Sequence, residues 1–187
     1  MSPRLKRYDT IIDAAEVVVA EVGAAHMTLD AVAGKAGISK GGLLYHFPTK
    51  EALLEAMIKK LVQVREAFRK ETWHKLPDNP TRELKAHILS DLLYERKMDH
   101  LGPPILAALA HNPKLAEPVR KINKERYAQL VSENTPFERV AVLALAADGL
   151  LFQEVLSISP FTEKQRKMIV EELLRIADER EWQGKCK

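Results

Sequence analysis

Apolar residues recur at steps of three and four along almost the whole chain, and no stretch alternates β-branched with polar residues at the period of a strand. Such a pattern demands helices that each bury one stripe, and it predicts an all-α protein of about nine helices. Ile11, Ala15, Val18 and Val22 form the first stripe, widened by Ile12 and Val19, and Gly23 offers a stop because glycine accepts positive φ. Thr28 then reads as the N-cap of a short helix that carries Asp30 in its first turn and ends near Gly37, and Ser39 caps another. Phe47-Pro48-Thr49 interrupts the pattern, since a residue before proline avoids the α region, and Thr49 caps a long helix lined by Leu53, Met57, Leu61, Val64 and Phe68.

Leu76-Pro77-Asp78-Asn79-Pro80 is the breaker that ends this long helix, and Thr81 restarts the chain. Leu84, Ile88, Leu92 and Leu93 mark the next helix, and Gly102-Pro103-Pro104 and Asn112-Pro113 bracket a single short one. Val119, Ile122, Arg126 and Leu130 mark another, which Pro118 either starts or kinks. Two capping boxes, Thr135-Pro136-Phe137-Glu138 and Thr162-Glu163-Lys164-Gln165, are expected to open the last two helices.

Composition matters here mainly for what it excludes. A chain of 187 residues that is 46% hydrophobic with 8 glycines can bury a real core. Its longest charge-free apolar run, Val140 to Ala147, falls far short of the ~20 residues of a membrane span, and no signal peptide precedes the first helix. A cytoplasmic location is expected, and Cys186 alone makes neither a disulfide framework nor a thiolate metal cluster. Glu71-Thr-Trp-His74 is a single Glu-x-x-His where a di-iron bundle needs two. With no glycine-rich phosphate loop, nucleophile elbow or zinc motif, neither an enzyme nor a cofactor is expected.

The net charge of +3 would not by itself indicate nucleic acid, but its distribution is informative. Residues 28–50 carry Lys35, Lys40 and Lys50 against Asp30, and Arg4, Lys6 and Arg7 precede them. Those three cations are either a minor-groove arm or a solvated terminus. Residues 28–47 read as two short helices joined by a tight turn at Gly37, the plan of a helix-turn-helix. Val32, Ala33 and Ala36 are small enough for close packing, Ile38, Leu43 and Phe47 belong to the shared core, and the outer face would show Ser39, Lys40, Gly41, Gly42, Tyr45 and His46.

This segment, followed by Pro-Thr-Lys-Glu-Ala-Leu-Leu, resembles the signature of the tetracycline-repressor family, with a motif-level match over about residues 8–60. The resemblance implies a three-helix helix-turn-helix domain at residues 1–50 and a ligand-sensing, dimerising helical domain at 51–187. It further implies that Thr28 and the Ser39–Gly42 turn face double-stranded DNA, that Tyr45 and His46 touch phosphates, and that Lys50 holds another. Because Gly42 lacks a side chain, Lys40 is left to reach a base edge. Lys35 is either a further contact or a solvated charge.

In the family's manner, Leu145, Gly149, Phe152 and Leu156 on one helix and Ile169 and Leu173 on the last would form a homodimer interface, with Val140 to Ala147 apolar all round and buried on more than one side. His87, Tyr94, His100, His111, Tyr127 and Gln153, polar residues set among apolar ones, are the candidates to line a site for a small, mainly apolar effector. Two other readings stay open at this point. One is a helical ligand- or partner-binding module without DNA function, and the other an α-helical enzyme on an apolar substrate.

Overall fold

The computed structural model describes residues 3–93, 101–132 and 135–179. Its helices are α1 Pro3–His26, α2 Leu29–Lys35, α3 Lys40–His46, α4 Lys50–Lys75, α5 Arg82–Leu93, α6 Gly102–His111, α7 Glu117–Leu130, α8 Phe137–Val155 and α9 Glu163–Asp178, with a 3-10 turn at Pro113–Ala116. No β-strand occurs among the described residues, so the all-α reading stands. No helix among them is long and apolar enough to cross a membrane.

Two compact units divide the chain. The first comprises Met1–Gln63 with Met98–Arg120, the second Val64–Lys97 with Lys121–Lys187. Residues 1–50 fall wholly in the first unit, which also takes in the start of α4 together with α6 and the 3-10 turn.

In the first unit, Ile11, Ile12, Ala15, Val18 and Val19 of α1 pack with Val32, Leu43, Phe47, Leu53 and Met57. Each such aliphatic side chain contributes about 1.5–3 kcal/mol when fully buried. Val22, expected on the same stripe, is exposed: α1 kinks at Gly23 (φ 78°, ψ 156°), and Ala24 and Met27 beyond it return the chain to the core. The helix begins at Pro3, so Arg4, Lys6 and Arg7 lie on its first turns rather than on an extended arm. Lys60 fastens α4 to α1 through Asp13 (2.6 Å) and Glu16 (3.0 Å).

In the second unit, Leu84 and Ile88 of α5, Leu130 of α7, Val140, Leu143 and Ala147 of α8, and Leu173 and Ala177 of α9 make one core. Beside it, Glu66 accepts from Arg69 (Nη2, 2.7 Å; Nε, 3.1 Å) and from Arg126 (3.2 Å), while Arg69 also donates to Glu83 (2.8 Å). These four side chains tie α4, α5 and α7 together. The Arg69 guanidinium bonded to Glu66 holds its carboxyl below the usual carboxylate range. Arg139, 2% exposed, donates to the carbonyls of Ile176 and Glu179 and so closes the C-terminal end of α9.

One expected cap is corrected. Pro136, not Thr135, is the N-cap of α8, and no side chain bonds that helix end. The Thr135 hydroxyl is turned inward and donates to Leu130 O (2.7 Å), while the backbones of Ser132 and Thr135 pair across a tight return of the chain. At Thr162 the capping box forms as expected: Gln165 N donates to Thr162 Oγ1 and Thr162 N to Gln165 Oε1. Within the chain, Val140, Leu143, Ala144 and Ala147 of α8 are buried while Val142 and Leu145 are exposed.

Candidate nucleic-acid interface

Local chemistry builds the α2–α3 hairpin as the sequence requires. Ala31 N donates to Thr28 Oγ1 (3.2 Å) and Gly42 N to Ser39 Oγ (3.1 Å), which caps both helices. Gly37 takes φ 65°, and Ile38 N then reaches Ala33 O (3.0 Å), which closes the turn. Leu43 is fully buried, and Phe47 (3% exposed) stacks obliquely on Tyr8 with ring centroids 4.8 Å apart. These anchors leave the opposite face of α3 to solvent.

Of the residues expected to meet DNA, Thr28, Lys35, Ser39, Lys40, Gly41 and Tyr45 are exposed, and Gly42, His46 and Lys50 are half-buried. Tyr45 is 71% exposed, with His46 edge-on to its ring at 5.3 Å and the Arg4 guanidinium 5.7 Å from its centroid. A Cβ added at Gly41 would meet nothing within 4 Å, whereas one at Gly42 would sit 3.3 Å from the capping hydroxyl of Ser39. Glycine at 42 therefore spares the cap.

Each of the three lysines is held by an oxygen on another helix. Lys35 donates to Glu21 (2.7 Å), Lys40 to Asp30 (2.8 Å) and Lys50 to the backbone carbonyl of Ala25 (2.7 Å). Exposed ion pairs are worth roughly 0–1 kcal/mol, so a phosphate can replace Glu21 on Lys35 cheaply. Sequence reasoning did not find these partners, since they lie 14, 10 and 25 residues away and meet only through the fold.

The other candidates divide between the units. His87, 2% exposed, meets the Tyr127 ring at 6.2 Å and 70° in the second unit. Gln153 is half-buried there, and its Oε1 has no hydrogen-bond partner among the described residues. His111 belongs to the first unit, where it borders a cleft of about 280 Å³ with Lys50, Glu51, Leu54, Ala108 and Leu115. Tyr94 and His100 lie outside the described residues. Of the residues expected at a subunit interface, Leu145 and Phe152 of α8 and its C-cap Leu156 are exposed, and Gly149 of α8 is half-buried. Ile169 packs partly against the core of the second unit, and Leu173 is inside it.

A capped helix-turn-helix with an exposed second helix, joined to further helices, defines a DNA-binding transcriptional regulator. Comparison with known proteins agrees. Residues 11–57 match the family described as bacterial regulatory proteins, tetR family, and residues 81–178 match the tetracyclin repressor-like C-terminal domain. The HTH-type transcriptional regulator BetI of Proteus mirabilis is 26% identical over 181 residues, 90% of each chain. A solved transcriptional regulator from a Rhodococcus species is 25% identical, with a TM-score of 0.70 over 91% of this chain and 95% of that one. A TetR transcription regulator from Haloarcula marismortui shares the fold at 16% identity, with a TM-score of 0.73 over 92% of this chain and 97% of that one. The chain belongs to the tetR family, whose members are DNA-binding transcription factors rather than enzymes.

Proposed function

We propose that this regulator is a homodimeric repressor that holds a palindromic operator through its α2–α3 face and releases it when a small, mainly apolar effector binds. The observation that carries the reading is the split character of α3: Leu43 is fully buried, while Ser39, Lys40, Gly41 and Tyr45 stand in solvent. Lys40 reaches a base edge, Thr28 and Ser39 position the hairpin, and Tyr45, His46, Lys50 and Lys35 meet phosphates. Residues 1–50 carry DNA binding, and residues 51–187 carry sensing and dimerisation.

An exposed apolar row supports a second copy of the chain as partner. Val142, Leu145 and Phe152 of α8 and its C-cap Leu156 follow one another at helical spacing, each between 46% and 64% exposed, and Met168 of α9 is 58% exposed. Such a row on two helices suits a four-helix interface between copies. The contact of buried His87 with half-buried Tyr127 and the Gln153 amide supply polar groups for the effector. Effector binding moves α4, which belongs to one unit at its start and to the other at its end, and a small misfit to the fixed spacing of the half-sites weakens both together.

Nuclease protection of the DNA upstream of the chain's own gene tests this. Two protected half-sites about one helical turn apart, or a multiple of it, are expected. A single protected patch, or an effector that binds the protein and leaves operator affinity unchanged, would overturn the reading.

A further inference from the structure

Resting on the interface reading above, we propose that Asp30 and Lys40 act as one unit that reads a G·C base pair in the major groove. Lys40 is the first residue of α3 and Asp30 lies in the first turn of α2, and their side chains meet at 2.8 Å while 57% and 66% exposed. The pair thus bridges the two helices of the hairpin on its open side.

What the pair can still bond decides what it reads. A lysine ammonium has three donors and no acceptor, so one hydrogen on Asp30 Oδ2 leaves two for a ligand. Asp30 Oδ1 has no partner among the described residues. The pair therefore presents two donors beside an acceptor. In the major groove a G·C pair shows two acceptors, guanine N7 and O6, followed by the donor N4 of cytosine. An A·T pair shows acceptor, donor, acceptor and then a methyl group, which leaves one ammonium hydrogen facing the adenine amine. The G·C order uses both free ammonium hydrogens as well as the carboxylate, whereas the A·T order engages one ammonium hydrogen at N7 and the carboxylate at the adenine amine.

The carboxylate is the informative partner. A phosphate would serve Lys40 equally well on any sequence, but Asp30 near the duplex is repelled unless a base amine donates to it. The pair consequently weakens binding where no base amine meets the carboxylate and gains most where two acceptors precede the cytosine amine, which is discrimination by both penalty and gain. The two positions after Lys40 are Gly41 and Gly42, which present no side chain to compete for the same base edge.

The test selects duplexes from a library with a randomised centre, using the full-length chain and its Asp30→Asn, Lys40→Met, Lys40→Arg and double Asp30→Asn/Lys40→Met variants. The unmodified protein is expected to fix one G·C pair in each half-site. Asp30→Asn should lower discrimination at that pair by roughly tenfold, leave the other positions as they were, and tighten binding to unrelated duplexes. Lys40→Met should lose the same pair, Lys40→Arg should keep it, and the double variant should lose no more there than either single one. Unchanged preference at that pair in Asp30→Asn, or a loss spread evenly over the site, overturns the proposal. If the unmodified protein enriches no sequence at all, the interface reading falls and the base-pair reading with it.

Discussion

Glutamine at position 66 would test how the second unit is held together. Glu66 accepts three hydrogen bonds from two guanidiniums, and the Arg69 and Arg126 side chains are only 10% and 12% exposed. Removing one partner of a fully buried pair costs about 3–5 kcal/mol, but Glu66 is itself 30% exposed, and glutamine keeps its volume and one acceptor oxygen. Glu83 also remains on Arg69. An expected cost of about 2 kcal/mol at neutral pH follows, comparable to one charge-assisted hydrogen bond. Because its carboxyl is held below its ordinary range by Arg69, the stabilisation is fully present above the unfolded-state pKa and is lost as pH falls through the folded one. Urea unfolding followed by Trp73 fluorescence in a Trp182→Phe background reports on this unit. The gap between Glu66→Gln and the unmodified side chain should close on acidification below about pH 4. A gap under about 0.5 kcal/mol at neutral pH, or one that persists undiminished in acid, would refute the reasoning.

Three further outcomes are expected. Gly37→Ala should cost about 1–2 kcal/mol in urea titrations from backbone conformation alone, since a Cβ there meets nothing within 4 Å, and Gly37→Asn should cost less. Thr162→Ala removes the capping box of α9 and should lower stability by about 1 kcal/mol in urea titrations. Leu145→Glu, which alters a side chain 64% exposed on α8, should shift sedimentation from dimer to monomer without loss of helical circular dichroism. Unaltered sedimentation would remove this row from the interface.

Elements governed by local chemistry were legible from the amino-acid sequence. Thr28, Ser39 and Thr162 cap the helices they were expected to cap, Thr49 accepts from Ala52 N, and Gly37 takes the positive φ of the turn. The outward and inward roles of Tyr45 and Phe47 were legible too, because burying Leu43 orients the short helix between them. Thr135 carried the same signature as Thr162 but stands one residue before the N-cap Pro136, and its hydroxyl donates to Leu130 O instead of accepting from a helix N–H. In α8 apolar residues on every side hid which face the core would take, and only packing against α5 and α9 separates Leu143 from Leu145. The partners of Lys35, Lys40 and Lys50 depend on how α1, α2, α3 and α4 cross, which no periodicity encodes.

The most direct test is the affinity of the purified full-length protein for duplex DNA from upstream of its own gene, read by fluorescence anisotropy across a salt series. The same titration is run with Tyr45→Ala/Lys50→Met. The account predicts tight binding that weakens steeply with salt, as phosphate neutralisation requires, and that is lost in the double variant. Weak binding, equal on any duplex and untouched by the two substitutions, would contradict it.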